Sequence, residues 1–435
     1  MGTFYQVGKI KKAYMITTGL SIGLMVLAFV VTTLAYPYVL SFARKHKIVD
    51  NPNARKLQRV PVPVMGGTSV YIGVLAATIV GLIVSQNPRL LWALVLISIM
   101  YGVGVWDDVK DVSAYLRFLI EIGVVWIMIL GMEVEINNFH GLWGVYDVPD
   151  VVSVPLTLIG GVGIMNAINL IDGVDGYCSS FGVVSCIAFA ALFFLLGEMA
   201  LFALALVFIG ALLPFFFHNV FGQKSKMFLG DGGSLMLGAV LSLFVFALLT
   251  SGRGNNVLDD KGLSRVALSL AILAVPIFDT LRVMMARIIR GLSPFHPDKT
   301  HLHHMYIEMD YSHLATSFII VLNNLIIIGC LILAWLLGAS IDFQVYFVIG
   351  LALLFTSGFY YFMEAQRRAN DGEGTALYKW HCKVGAKTHR SDKPFWRFMR
   401  GIVDSRFLGG PSSVVASENQ TLSEEKPVRL DPRIR

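Results

Sequence analysis

Apolar runs close to the ~20 residues that cross a bilayer recur along the chain at 14–42, 65–84, 90–106, 114–131, 153–168, 179–197, 199–217, 234–250, 265–286, 315–338 and 342–363. This pattern predicts eleven membrane-spanning helices, and no soluble-style internal repeat accompanies them. The run at 153–168 is the weakest, being short and holding Gly160, Gly161 and Gly163. Lys and Arg set the orientation. With the N-terminus outside, the inner loops receive Arg44, Lys45, Lys47, Arg55, Lys56, Arg59, Lys110, Lys224, Lys226, Arg287, Arg290 and Lys299. The outer loops keep Arg89, Arg253, Lys261 and the border residue Arg265, so the cationic excess faces inward. Lys9, Lys11 and Lys12 argue the other way and are outnumbered. The polar-rich loops 43–64, 107–113, 169–178, 218–233 and 287–314 then share the cytoplasmic side. A transporter would need polar groups near the midplane with access from both faces; here the chemistry crowds one face.

Composition agrees with the pattern. The 435 residues are 55% hydrophobic and 15% charged, with mean hydropathy +0.67, against about 25% charged residues in soluble domains. The expected fold is an all-α polytopic integral membrane protein of about 10–11 spans, over 1–363. A basic cytoplasmic tail follows at 364–435. The tail interleaves Arg367, Arg368, Lys379, Lys383, Lys387, Arg390, Lys393, Arg397, Arg400 and Arg406 with Trp380, Phe395, Trp396 and Phe398. That pattern suits either an interfacial segment on anionic lipid or a solvated tail, and from Gly409 it reads as disordered. The formal charge of +6 points to membrane faces rather than nucleic acid. Cys178, Cys186, Cys330 and Cys382 lack C-x-x-C spacing and read as small buried residues. No cleavable signal peptide is expected.

Asn166-Ala-Ile-Asn-Leu-Ile-Asp-Gly-Val-Asp-Gly176 ends an apolar run with amides and carboxylates at every third position. Such groups in a lipid-embedded segment are costly unless they face protein, water or a ligand. By itself the stretch reads as a helix end unwinding into a loop that could take a cation, a sugar or a nucleotide. Asp107, Asp108 and Asp111 follow a span directly. Asp107 and Asp111 would share a helix face, recruiting a cation, or Asp111 would simply cap the next helix. Asp231 lies among Gly230, Gly232 and Gly233, where a backbone can approach a ligand closely; cap and ligand are both open readings. One Asp can suffice for Mg²⁺ when substrate phosphates complete its shell. His296, His301, His303 and His304 crowd the densest polar loop, with Lys299, Pro294 and Pro297. Without nearby thiolates this suits a phosphate better than zinc. Phe278-Asp279-Thr280 and Arg290 lie upstream, their roles undecided. On one face, these groups suggest metal-assisted phosphoryl transfer.

Asp107-Asp108-x-x-Asp111, Asn166-Ala-x-Asn169-x-x-Asp172-Gly-x-Asp175-Gly, Gly230-Asp231-x-Gly-Ser234 and His301-x-His303-His304 resemble the polyprenyl-phosphate N-acetylhexosamine-1-phosphate transferases of glycosyl transferase family 4. The resemblance covers roughly 43–314. It implies transfer of a sugar-1-phosphate from a UDP-N-acetylhexosamine to undecaprenyl phosphate in the bacterial inner membrane, releasing UMP. Mg²⁺ would be the cofactor, with Mn²⁺ a substitute, and a homodimer is compatible. It further implies catalytic roles for Asp107, Asp108 and His301, with Asp107 assisting acceptor deprotonation and Asp108 supporting metal or acceptor. Asp231 would be the metal ligand. Asn166, Asn169, Asp172, Asp175, Arg290, Lys299, His303 and His304 would bind substrate. The first peptidoglycan-lipid transferase typically has Lys at the position of Asp111 and three consecutive histidines. His301-Leu-His-His304 therefore looks like the branch using UDP-GlcNAc for O-antigen, teichoic acid or capsule. Phospho-MurNAc-pentapeptide transfer is the alternative within the family, and a cation-coupled transporter the alternative outside it.

Overall fold

The computed structural model describes residues 2–50, 61–110, 112–252, 254–294, 296, 298–370, 372–389 and 393–405, with side chains from Thr17 onward. Asp111, the basic residues Arg55, Lys56 and Arg59, Arg253, Arg390, Arg406 and the segment expected to be disordered lie outside this set. Helix α1 (Gly2–Lys45) is followed by α2 (Gly66–Ser85), α3 (Pro88–Lys110), α4 (Ala114–Met132), α5 (Asp150–Leu170), α6 (Tyr177–Leu196), α7 (Met199–Phe221) and α8 (Gly230–Leu249). Short α9 (Val257–Asp260), α10 (Arg265–Ile272), α11 (Ala274–Ile289), α12 (Leu302–Glu308) and α13 (His313–Leu336) come next. Then come α14 (Ile341–Leu353), a π-turn, α15 (Phe359–Arg368), α16 (Ala376–Ala386) and α17 (Pro394–Asp404). Among the described residues ten helices are long and apolar enough to span a membrane, α14 to α15 forming one, or eleven when bent α10–α11 is counted as one span. The all-α polytopic expectation holds, and α5 is one continuous helix despite its glycines. Among the described residues two short antiparallel strand pairs, Val49–Asp50 with Val62–Pro63 and Asn138–Leu142 with Val145–Asp147, were not legible as strands.

The hub is α8, in which every residue except Asp231 is buried. A helix apolar on all sides belongs inside a bundle, and its small residues admit neighbours at backbone distance. A Cβ on Gly104 of α3 would stand 2.3 Å from the Asp231 carbonyl oxygen, and one on Gly67 of α2 2.4 Å from the Gly233 nitrogen. On α8, a Gly238 Cβ would meet Met165 Cα of α5 at 2.8 Å. The approach to α8 is zipped to α2 by backbone bonds, Gly66 N–H to Phe228 O at 2.8 Å and Gly67 N–H to Leu229 O at 2.7 Å.

The run at 265–286, expected as one span, is bent by 73° between α10 and α11. A break inside a span frees backbone groups that lipid cannot satisfy. Asn324 of α13 supplies both partners, its Oδ1 accepting from Val275 N–H at 3.1 Å and its Nδ2 donating to Ile272 O at 2.9 Å. The alternation of spans brings the C-termini of α3, α5, α7 and α11 to the same face as the N-termini of α4, α6, α8 and α13.

Replacing Gly104 by Val should force α3 from the start of α8 and cost about 1–3 kcal/mol, read as a lower thermal midpoint in detergent. Gly102→Val, at a position with nothing within 4 Å of the added Cβ, should leave the midpoint unchanged.

Candidate active site

The first backbone N–H groups of a helix have no partner within it and carry the positive end of its dipole. In α8 no local side chain caps them. Two remote carboxylates do so: Asp172 Oδ2 accepts from Gly230 N–H at 3.1 Å, while Asp108 Oδ1 and Oδ2 accept from Asp231 N–H at 2.9 Å and Gly232 N–H at 3.1 Å. Asn169 turns the Asp231 side chain, donating to its Oδ1 at 2.7 Å and to Ser234 Oγ at 3.0 Å. The loop after α5 and the end of α3 thus meet at one helix start. Burial, followed by the charges of Asp231 and Asp108, pushes the Asp172 carboxyl well above the usual carboxylate range.

Asp107 stands beside this group and acts on Asp231 as a like charge. Its Oδ1 accepts from Val112 N–H at 2.8 Å and its Oδ2 from Arg117 Nη1 at 3.0 Å. Arg117 also reaches Asn166 Oδ1 at 3.4 Å and Glu121 at 3.6 Å, and Asn166 Nδ2 donates to Glu121 Oε2 at 2.6 Å. Arg117 and Glu121 escaped the sequence reading. Their signal was present: an Arg and a Glu at i,i+4 inside an apolar span are costly unless they face a partner.

Asp175 faces a different set: its Oδ2 accepts from Lys226 Nζ at 2.6 Å and lies 2.8 Å from His313 Nδ1, which also accepts from the Asp175 N–H at 3.3 Å. Burial pushes its carboxyl up, but His313 and Lys226 outweigh that and hold it below the usual range. Gly176, at φ +78°, donates its N–H to Asn219 Oδ1 at 2.6 Å.

The histidine loop packs on the other side of 171–176: a Cβ on Gly173 would be 3.0 Å from His303 Nε2. His301 Nδ1 lies 3.0 Å from Asp279 Oδ2, and Asp279 also accepts from Arg282 Nη2 at 2.6 Å and from Leu302 N–H. The Asp279 carboxylate on Nδ1 fixes the His301 ring, while buried His301 Nε2 has no hydrogen-bond partner among the described residues. Burial and then neighbouring imidazoles lower His303 well below its ordinary value and His304 to about 4. Asp279, Arg282, Lys226 and His313 were visible in the chain, but nothing local paired them with the motifs.

Arg290 and Lys299 are not drawn into the carboxylate group. Arg290 is 49% exposed and 3.5 Å from Asp298, whose main partner is Arg287. Lys299 is exposed beside His304.

Among the described residues no group of three or more His, Cys, Asp or Glu has metal-cage geometry. The donor set still fits a hard divalent cation, because Asp107, Asp108, Asp172 and Asp231 converge against Arg117 and such ions need few protein carboxylates when phosphates are present.

Residues 90–249 match the glycosyl transferase family 4 model. A probable undecaprenyl-phosphate N-acetylglucosaminyl 1-phosphate transferase of Bacillus subtilis (strain 168) is 32% identical over 307 residues, 69% of this chain and 82% of that protein. The undecaprenyl-phosphate alpha-N-acetylglucosaminyl 1-phosphate transferase of Escherichia coli (strain K12) is 29% identical over 290 residues, 65% of this chain and 76% of its own. The Yersinia pestis protein of that name is 28% identical over 278 residues, 62% and 72% of the two chains. The chain belongs to glycosyl transferase family 4, among the polyprenyl-phosphate N-acetylhexosamine-1-phosphate transferases.

His304 yields a pH prediction. Its folded pKa, about 4, lies below the unfolded value of about 6.5, so the unfolded chain binds the proton more readily. The stability from the neutral ring is present above pH ~6.5 and lost as pH falls toward ~4. His304→Gln should therefore flatten the fall in thermal midpoint across that window.

Proposed function

We propose that this chain transfers GlcNAc-1-phosphate from UDP-GlcNAc to undecaprenyl phosphate, yielding undecaprenyl-diphosphate-GlcNAc and UMP, and so begins a cell-surface polysaccharide such as O-antigen, teichoic acid or capsule. The names of its relatives support substrate and acceptor. The observation that carries the chemistry is Asp231, the one residue of α8 left unburied, at the meeting point of the carboxylates. The loops of this face are cytoplasmic, as the Lys and Arg distribution supports, and the setting is a bacterial inner membrane. One copy suffices for the reading; a homodimer is compatible with it.

An acceptor phosphate oxygen attacks the sugar-bearing phosphorus, and the bond from that phosphorus to the bridging oxygen of UMP breaks. Asp231 would hold Mg²⁺, or Mn²⁺, against the donor diphosphate, and the ion when bound supplies charge neutralisation to the diphosphate. Asn169 keeps the Asp231 carboxylate turned toward that position. Asp108, with both oxygens on the α8 amides, supports the metal site by fixing the helix start. Arg117, held by Asp107 and Glu121, offers a cation to the acceptor phosphate. That phosphate titrates near 6, so Asp107 assists its deprotonation mainly by orientation. His301, steadied by Asp279, directs Nε2 at the leaving phosphate, where charge develops. His303 and His304 line the same loop; Asp172 and Asp175 bind the donor from theirs. Asn166 positions Arg117 and Glu121, and Arg290 and Lys299 guide the anionic donor at the rim.

Purified protein in detergent with UDP-GlcNAc, undecaprenyl phosphate and Mg²⁺ should release UMP, and UDP-MurNAc-pentapeptide should not compete. Absence of UMP with every UDP-amino sugar would refute the enzyme reading. Asp231→Asn should lower kcat by about 10²–10³-fold and abolish the Mg²⁺-induced rise in thermal midpoint.

A further inference from the structure

The two side chains on Asp175, Lys226 and His313, come from distant segments, and each segment is held from outside by the C-terminal region. Lys226 follows the turn 223–225 after α7. Asp404, the last residue of α17 and 7% exposed, accepts on Oδ2 from Gln223 N–H at 3.1 Å and Lys224 N–H at 3.2 Å. Its Oδ1 accepts from Ser225 N–H at 3.0 Å and Ser225 Oγ at 2.7 Å. Trp396 and Phe395 of the same helix pack on Phe221, with ring centroids 5.1 and 6.1 Å away. His313 follows the turn 309–312 after α12, and α16 covers that turn. Thr388 Oγ1 accepts from Ser312 N–H at 2.8 Å, and the Tyr311 hydroxyl meets His381 Nδ1 at 3.2 Å. A Cβ on Gly385 would be 2.2 Å from Met309 O.

We propose that two C-terminal segments, 376–389 and 393–404, act as a strap that holds Lys226 and His313 on Asp175, making Asp404 and Thr388 positioning residues for the 171–176 loop. This rests on the reading that the loop recognises the nucleotide-sugar donor. A buried carboxylate collecting three successive backbone amides fixes a turn strongly, because charge-assisted bonds exceed neutral ones. With both turns fixed, Lys226 and His313 reach Asp175 without first ordering two loops.

The test uses the full chain in detergent, with Asp404→Ala, the conservative Asp404→Asn and, at the other docking point, Thr388→Val. Hydrogen exchange should speed up about tenfold at 171–177, most in Asp404→Ala. The donor KM should rise about three- to tenfold with kcat and the undecaprenyl-phosphate KM within about twofold of wild type, and Asp404→Asn should recover part of it. Unchanged exchange at 171–177 in all three variants overturns the strap, whatever KM does. Faster exchange with an unchanged donor KM upholds the strap and instead overturns the donor role of the loop. A fall in kcat with a matching rise in both KM values reduces the strap to general stability and overturns the positioning role.

Discussion

A buried helix start must find acceptors for its first amides, and much of the site follows from how α8 meets that demand. Glycines at Gly230, Gly232 and Gly233 leave no side chain to cap the helix locally, and they let α2 and α3 approach at backbone distance. The acceptors therefore come from Asp108 and Asp172. These two carboxylates bind the end of α3, the loop after α5 and the start of α8 into one unit. Asp231 is carried on that unit at a position where the helix dipole, a neighbouring amide and a close acidic wall all act on it.

The site has two electrostatic halves. On one side carboxylates exceed cations, Asp107, Asp108, Asp172 and Asp231 standing against Arg117. On the other, His303 and His304 are held neutral by burial, while His301 leans on Asp279. Loop 171–176 touches both halves, Asp172 facing the acidic wall and Gly173 the His303 ring.

The membrane class, the number and order of the spans and the clustering of polar loops on one face were legible in the chain. Hydrocarbon forces long apolar runs and penalises stray charges, so each departure stands out. Asp107, Asp108, Asn169, Asp172, Asp231 and the histidines stood out for that reason and converge in the structure. Arg290 and Lys299 were legible as cations, but their exposure at the rim depends on where the loop runs. Arg117 and Glu121 were overlooked inside an apolar run, though their spacing marked them. The bend at Leu273 was marked by Pro276, which has no N–H for the Ile272 carbonyl four residues back, but its repair by Asn324 on another helix was not legible.

The sequence by itself determined that this is a polytopic all-α membrane protein whose polar motifs share one face, because bilayer thickness and desolvation act on each segment separately. Only the tertiary structure decided which carboxylate caps and which stays open, that Arg117 stands by Asp107, that Asp279 holds His301, and that the C-terminal helices pack over the turns before Lys226 and His313. Those outcomes depend on pairings across tens to hundreds of residues, set by close helix packing around α8. No local propensity encodes them.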